Sequence, residues 1–191
     1  MNTFVIIIAI IFIILVIYLI FLRPQHLKWG AYKNEIALTL PGDELVLNPD
    51  FNATRAITIN ASPNSIWPWI IQIGSGRAGW YSIDWIDNGG VKSSNVILDE
   101  FQKIENGMGV KEFVVDKFIL WEDKKNKASW LWYLNEQSDG TTRLITRLRT
   151  KYIWYNLWLI YYLIYDFGDI IMMKKCMKGI KKRSEIAFRP L

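Results

Sequence analysis

Between Phe4 and Leu22 the chain places nineteen apolar residues in succession, and no other feature restricts its fold so strongly. As a helix this run is about 28 Å long, close to the ~30 Å hydrocarbon core of a bilayer. A helix buried in a soluble core is the competing reading, but the Ile-rich run has no polar face to turn toward water. A cleavable leader would carry a charged start, a shorter apolar stretch and a small-residue cleavage site. Met1-Asn2-Thr3 bears no side-chain charge, and Leu22-Arg23-Pro24 offers no such site. Residues 1–22 are therefore expected to be an uncleaved, single-pass transmembrane anchor. Arg23, Lys28 and Lys33 follow the run and no basic side chain precedes it. By the positive-inside tendency, the rest of the chain is expected on the cytoplasmic side of the cell membrane.

Hydrophobic residues make up 51% of the 191-residue chain, a share that falls to about 46% once the anchor is set aside, the value of an ordinary globular domain. What remains is long enough to bury one core without staples. One cysteine, Cys176, excludes an internal disulfide and suits a reducing compartment. Charge is unevenly spread. Residues 174–191 hold seven basic side chains against Glu185 and sum to +6, against +5 for the whole chain, which leaves residues 23–173 at −1. Two readings of the basic end stand level: a solvated helix terminus whose cations suit the helix dipole, and a surface for anionic lipid headgroups. Nucleic acid is not expected, because no base-stacking motif accompanies the basic residues.

Pro24, Pro41-Gly42 and Pro49 punctuate residues 23–53, which read as a connector. Regular structure is expected over residues 54–188. Thr54–Ile59 alternates like a strand. Ser62-Pro63 opens a helix that carries Ile66, Trp67, Ile70 and Ile71 and stops at Gly74. The glycine-rich stretch 74–81 lacks the spacing of either phosphate-binding fingerprint and reads as a turn leading into a short helix over Ser82–Asn88. Strands are then expected at Glu112–Phe118, Ile119–Asp123, Ser129–Glu136 and Thr141–Tyr152, an antiparallel meander. In the last of them Leu144, Thr146 and Leu148 alternate with Arg143, Ile145, Arg147 and Arg149, predicting one interior and one mostly polar face. Residues 153–188 read as a long helix, broken or bent near Gly168. Its apolar start, with Trp154, Tyr155, Trp158, Tyr161 and Tyr162, is too short for a second span and is expected against the sheet, grazing the membrane interface.

Several strings carry a resemblance: Leu40-Pro41-Gly42-Asp43-Glu44, Ala53-Thr54-Arg55-Ala56-Ile57, Ile66-Trp67-Pro68-Trp69-Ile70 with Gln72-Ile73-Gly74, Gly79-Trp80-Tyr81-Ser82 with Asp84-Trp85, and Met177-Lys178-Gly179-Ile180-Lys181. Together with the element order, they resemble the START-like (SRPBCC) superfamily, and within it bacterial proteins described as polyketide cyclase/dehydrase-like. The resemblance spans about residues 27–185. It implies an α+β helix-grip fold, a curved antiparallel sheet wrapped around a long C-terminal helix, with an apolar cavity for lipids, polyketides or other hydrophobic molecules. It implies no reaction, because the superfamily shares no catalytic constellation.

The residues themselves favour binding over catalysis. His26, the only histidine, sits four residues past the apolar run and reads as interfacial, which disfavours His-based triads. Cys176 is expected to pack in a helix, and Cys/His sets for a metal are lacking. No cofactor and no catalytic residue are expected. Candidate ligand-binding residues are Trp67, Arg77, Trp80, Tyr81, Asp84 and Trp132, aromatics for an apolar molecule with a few polar groups to orient it. For Arg77 the preferred reading is a structural pair with Asp84 or Asp87, ahead of a contact with a headgroup. The leading expectation is a membrane-anchored module that holds a hydrophobic, lipid-like ligand. One alternative is a cyclase- or dehydratase-like enzyme in which Asp84 and Tyr81 assist enolisation. Another is an interaction protein with a filled core.

Overall fold

The computed structural model describes residues 3–104, 109–123, 125, 127–152 and 158–187, with backbone alone for 158–164. It is an α+β architecture with an N-terminal apolar helix, one five-stranded antiparallel sheet and a long C-terminal helix. The N-terminal helix runs from Thr3 to His26 and is long and apolar enough to cross a membrane by length and composition. It comprises α1 (Thr3–Ile17), a π-helical turn (Tyr18–Leu22) and α2 (Arg23–His26). The widened turn precedes Pro24, which has no N–H to return to the turn before it. No residue of α1 is buried.

The sheet has strand order β1-β5-β4-β3-β2, with β1 (Phe51–Ile59), β2 (Val110–Val114), β3 (Phe118–Asp123), β4 (Ala128–Glu136) and β5 (Thr142–Thr150). The expected meander is present, with one shift. A strand was expected to run through 112–118, but the chain turns at 115–117, where Asp116 adopts a left-handed conformation (φ 59°). The β-branched pair Val114-Val115 masks this turn in the sequence.

Register sorts the side chains into two faces. Ile119, Trp132, Thr146 and Arg55 lie in one row, and Trp121, Trp130, Leu148 and Ala53 in the next row on the same face. On this front face pack α4 (Pro63–Ile71) and α6 (Trp158–Ala187), with Ile66, Trp67, Ile70, Met173, Met177 and Ile180 in the main core. The helix α6 is continuous through Gly168, so of the expected break or bend the break is absent. A Cβ there would meet nothing within 4 Å, so the glycine weakens the helix by roughly 1 kcal/mol without interrupting it. The expected interfacial aromatics Trp154 and Tyr155, and the side chains of Trp158, Tyr161 and Tyr162, lie outside the described residues.

The back face differs most from expectation. Leu40, Ala56, Phe118, Leu120, Leu131 and Ile145 form a second buried cluster. The segment before β1, read above as a connector, lies across this face and contains α3 (Lys33–Ala37). The supposedly polar side of β5 is therefore interior: Arg143 is 7% and Arg147 is 4% exposed. Buried guanidinium groups must be matched by acceptors, and here backbone carbonyls and two acids supply them. Arg143 binds Glu35 (2.7 Å), the Gly30 carbonyl (2.8 Å) and Thr58 (2.9 Å). Arg149 binds Asp43 (2.9 Å) and the Val46 carbonyl (3.0 Å).

The free edge of β1 is also covered. Thr54 N–H donates to the Leu27 carbonyl (2.9 Å) and Ala56 N–H to that of Trp29 (3.1 Å). The next residue, Gly30, has φ +71°, and a Cβ there would sit 2.1 Å from the Ala56 carbonyl oxygen. Gly30→Ala is expected to destabilise the fold by about 3 kcal/mol, through left-handed strain and loss of the two edge hydrogen bonds. Denaturant unfolding followed by tryptophan fluorescence measures this loss.

Candidate functional site

The glycine-rich stretch after α4 turns back through a Gly74–Gly79 bridge. Gly79 (φ +83°) passes so close to Ser93 that a Cβ would lie 2.4 Å from its Oγ. This close passage sends the next two side chains in different directions. Trp80 reaches the sheet and stacks on Trp130, with ring centroids 6.0 Å apart and planes at 27°. Tyr81, itself left-handed (φ 55°), turns toward α6 and packs edge-on to Trp69 (6.2 Å) and under the guanidinium of Arg183 (4.3 Å).

Trp130 is the hub of the aromatic set. Trp121 lies beside it on β3 (5.6 Å) and Trp132 beside it on β4 (5.4 Å), and its indole N–H donates to Thr146 Oγ1 (2.9 Å). Trp80, Trp121 and Trp130 are only partly buried, packing with Leu98, Ile104 and Val110 against the main core. Trp132 is 1% exposed, and its indole N–H finds no acceptor among the described residues. A buried donor without a partner forfeits hydrogen bonding worth about 1–3 kcal/mol, so the aromatic set ends inside the core on an unmet donor.

This set lies near the end of the sheet where the apolar helix joins it. Arg23 sits over the Phe51 ring (5.9 Å) and pairs with Asp166 of α6. Arg55 pairs with Asp169 at 2.6 Å with both side chains almost fully buried, and donates to the His26 carbonyl (3.0 Å). The Trp121–Trp130–Leu148–Ala53 row begins two residues from Phe51. By strand spacing, Trp130 is about 10 Å and Trp121 about 14 Å from β1.

The candidate residues thus separate into groups. Trp80 and Trp132 are joined through Trp130. Trp67 is buried in the core of α4, 6% exposed. Arg77 does not form the expected pair with Asp84 or Asp87. It donates to the Ile71 (2.9 Å) and Phe101 (3.2 Å) carbonyls and lies over the Phe101 ring (4.6 Å). Asp84 instead accepts from Ser93 Oγ (2.5 Å), which in turn accepts from Tyr81 N–H (3.0 Å). Gln72 donates to the Tyr81 hydroxyl (2.7 Å), and burial pushes that phenol up to about 12. Burial also raises Asp87 and Cys176 and lowers Arg183. Tyr81 and Asp84 are therefore held in a bracing network between the loop and α6, where Gly179 approaches so closely that a Cβ would lie 2.4 Å from the Tyr81 carbonyl oxygen. Among the described residues no group of three His, Cys, Asp or Glu side chains is arranged to hold a metal.

Trp121 was not singled out from the sequence, although its alternation with Leu120 puts it on the face of Ile119. No local signal marks the Arg55–Asp169 pair.

No family model matches the chain, and none of the curated proteins matches it. Among solved structures it is similar to a conserved protein of unknown function from Enterococcus faecalis, at 14% identity and TM-score 0.43, over 71% of this chain and 74% of that one. It is also similar to a protein from Thermus thermophilus, at 13% identity and TM-score 0.36, over 72% of this chain and 99% of that one.

Proposed function

We propose that the chain is a helix-grip module of the START/SRPBCC kind, anchored in the cell membrane by α1 with its folded part on the cytoplasmic side, that holds a hydrophobic, lipid-like ligand between the sheet and its helical layer. The observation that carries this reading is the partly buried tryptophan set, Trp80, Trp121 and Trp130, which leads from the anchor's end of the sheet to the indole of Trp132, whose N–H has no acceptor among the described residues. Aromatic walls that end on a few polar groups are how proteins commonly bind apolar molecules, and Trp favours the depth where a bilayer meets water. The basic residues Arg23, Lys28 and Lys33 support the cytoplasmic side. The enzymatic alternative finds no comparable support, since Asp84 and Tyr81 already serve Ser93 and Gln72.

The test is native mass spectrometry of the full chain released from nanodiscs made of one lipid of known mass. One hydrophobic adduct per chain is expected, distinct from that lipid or in fixed ratio to the protein, and Trp130→Ala should reduce its occupancy at least about tenfold, the scale of losing one large aromatic contact. A full chain recovered only at its bare mass, also after incubation with a mixed lipid extract, would sink the binding reading.

A further inference from the structure

A second surface, exposed where the tryptophan set is partly buried, is built for contact. The short helix α5 (Asp84–Asp87) and the loop after it expose Trp85 (77%), Ile86 (51%), Val91 (67%), Val96 (61%) and Ile97 (43%). A tryptophan more than three-quarters exposed contributes nothing to the core, and clustered exposed apolar side chains mark an interaction site. This loop is not loosely attached. Arg183 donates to the Ser94 carbonyl (2.7 Å) while lying over Tyr81, and Tyr81 abuts Gly179. The loop therefore rides on the C-terminal half of α6. Beside it on that helix Lys175, Lys178 and Lys182 are exposed, and Lys92 is exposed within the loop. At helical spacing, residues 175, 178 and 182 form one stripe. The apolar loop and the lysine stripe are thus neighbours on the C-terminal half of α6, and the acids of the same segment are Asp84 and Asp87 of α5 and Asp99 and Glu100 of the following 3-10 turn.

The direction of the chain gives the end of the sheet at which this surface lies. On leaving α2 the chain runs alongside β1 in the same sense, Leu27 at Thr54 and then Trp29 at Ala56. The helix α6 follows the same course: Asp169 meets Arg55, Lys181 meets the Thr58 carbonyl (2.6 Å), and Glu185 meets Asn60 N–H (2.8 Å). Asp166, where the anchor is clamped, and Lys182 are about 24 Å apart by helical rise. That distance is several Debye lengths at physiological salt. The basic end lies at the opposite end of the sheet from the anchor.

We propose that the Trp85 loop and the Lys175–Lys178–Lys182 stripe dock onto an anionic membrane surface other than the bilayer that holds α1, so that the chain bridges two membranes. Exposed Trp with neighbouring aliphatic side chains matches the headgroup boundary of a bilayer, and the lysines match its negative potential. An acidic protein partner is the other occupant to be tested, and this surface is independent of the ligand reading above.

The test uses the full chain embedded in nanodiscs of phosphatidylcholine, mixed with separate vesicles of phosphatidylcholine containing about 30% phosphatidylserine, and scored by co-flotation. The embedded chain is expected to carry nanodiscs to the anionic vesicles and not to pure phosphatidylcholine vesicles. Salt should weaken the binding, and the triple variant Lys175→Ala, Lys178→Ala, Lys182→Ala should lower the affinity roughly 100-fold. Trp85→Ser should lower it about tenfold, while the unfolding midpoint is retained because the side chain is exposed. Absence of flotation with anionic vesicles overturns the proposal and leaves the acidic protein as the occupant. Flotation that is unchanged in both variants also overturns it, because another surface would then be responsible.

Discussion

Replacing Arg55 with methionine is expected to cost about 3–5 kcal/mol of folding free energy, whereas replacing Arg55 and Asp169 together with methionine and leucine is expected to restore most of that loss. The two side chains are 2% and 6% exposed and 2.6 Å apart, so removing one leaves an uncompensated charge in the core. Burial raises Asp169 above the usual carboxylate range, and Arg55 only partly offsets this. Desolvation therefore outweighs the attraction, and for such a pair an apolar replacement of both partners is neutral or stabilising. The sign with pH follows. With its native pKa raised, Asp169 binds its proton more tightly in the folded chain than in the unfolded one. Stability relative to Asp169→Asn should therefore fall as pH rises from the ordinary carboxylate range through the raised value, and level off above it. Denaturant titrations of the single and double variants, across that pH range, check both statements. A double variant as unstable as Arg55→Met would mean that the pair does more than neutralise itself, because Arg55 also holds the His26 carbonyl at the end of the apolar N-terminal helix.

The second large effect is expected at Arg147. Its guanidinium reaches Thr54 Oγ1 (2.9 Å), Asp43 (2.6 Å) and the carbonyls of Leu38 (2.7 Å), Glu35 (3.0 Å) and Ile36 (3.1 Å). Arg147→Met keeps the bulk and removes every donor, leaving buried acceptors that cost about 1–3 kcal/mol each where water cannot reach them. A total loss of about 3–5 kcal/mol is expected. Arg147→Lys keeps the charge without the fork and should fall in between. Hydrogen exchange separates this from a general loss of stability. Amides over residues 33–46 should lose protection first, because Arg147 together with Arg143 and Arg149 holds that segment on the sheet. Uniform loss across β3 and β4 as well would show that the back layer and the sheet unfold as one unit.

These two effects lie where local patterns stop being informative. The apolar run from Phe4 to Leu22, the hairpin strands from Phe118 to Thr150, the helix opening at Ser62-Pro63 and the long C-terminal helix were all legible, because each depends on periodicity, caps and turns within a few residues. Of the break or bend anticipated near Gly168, the break is absent, since packing along the rest of α6 overrides one weak helix former. Of the candidate site residues, Trp80 and Trp132 were recognisable as bulky aromatics, but their union through Trp130 required the register of β3, β4 and β5. For Arg77, proximity in sequence points to the acids Asp84 and Asp87, whereas in the fold the carbonyls of Ile71 and Phe101 lie within its reach.

By itself, the amino-acid sequence determined that the chain begins with a membrane-length apolar helix, that its remainder is an α+β domain with an antiparallel meander, and that alternate residues of β5 face opposite ways. Period-two alternation states which residues share a face but carries no information about what covers it. Only the tertiary structure decided that the arginine face of β5 is interior, because the segment before β1 folds back over it and its carbonyls satisfy the guanidinium groups. Tertiary packing also decided that the end of the apolar N-terminal helix is held to α6 by the Arg23–Asp166 pair, and β1 to α6 by the buried Arg55–Asp169 pair. Contacts between residues far apart in the chain follow from chain path and burial, and neither is written in any local stretch.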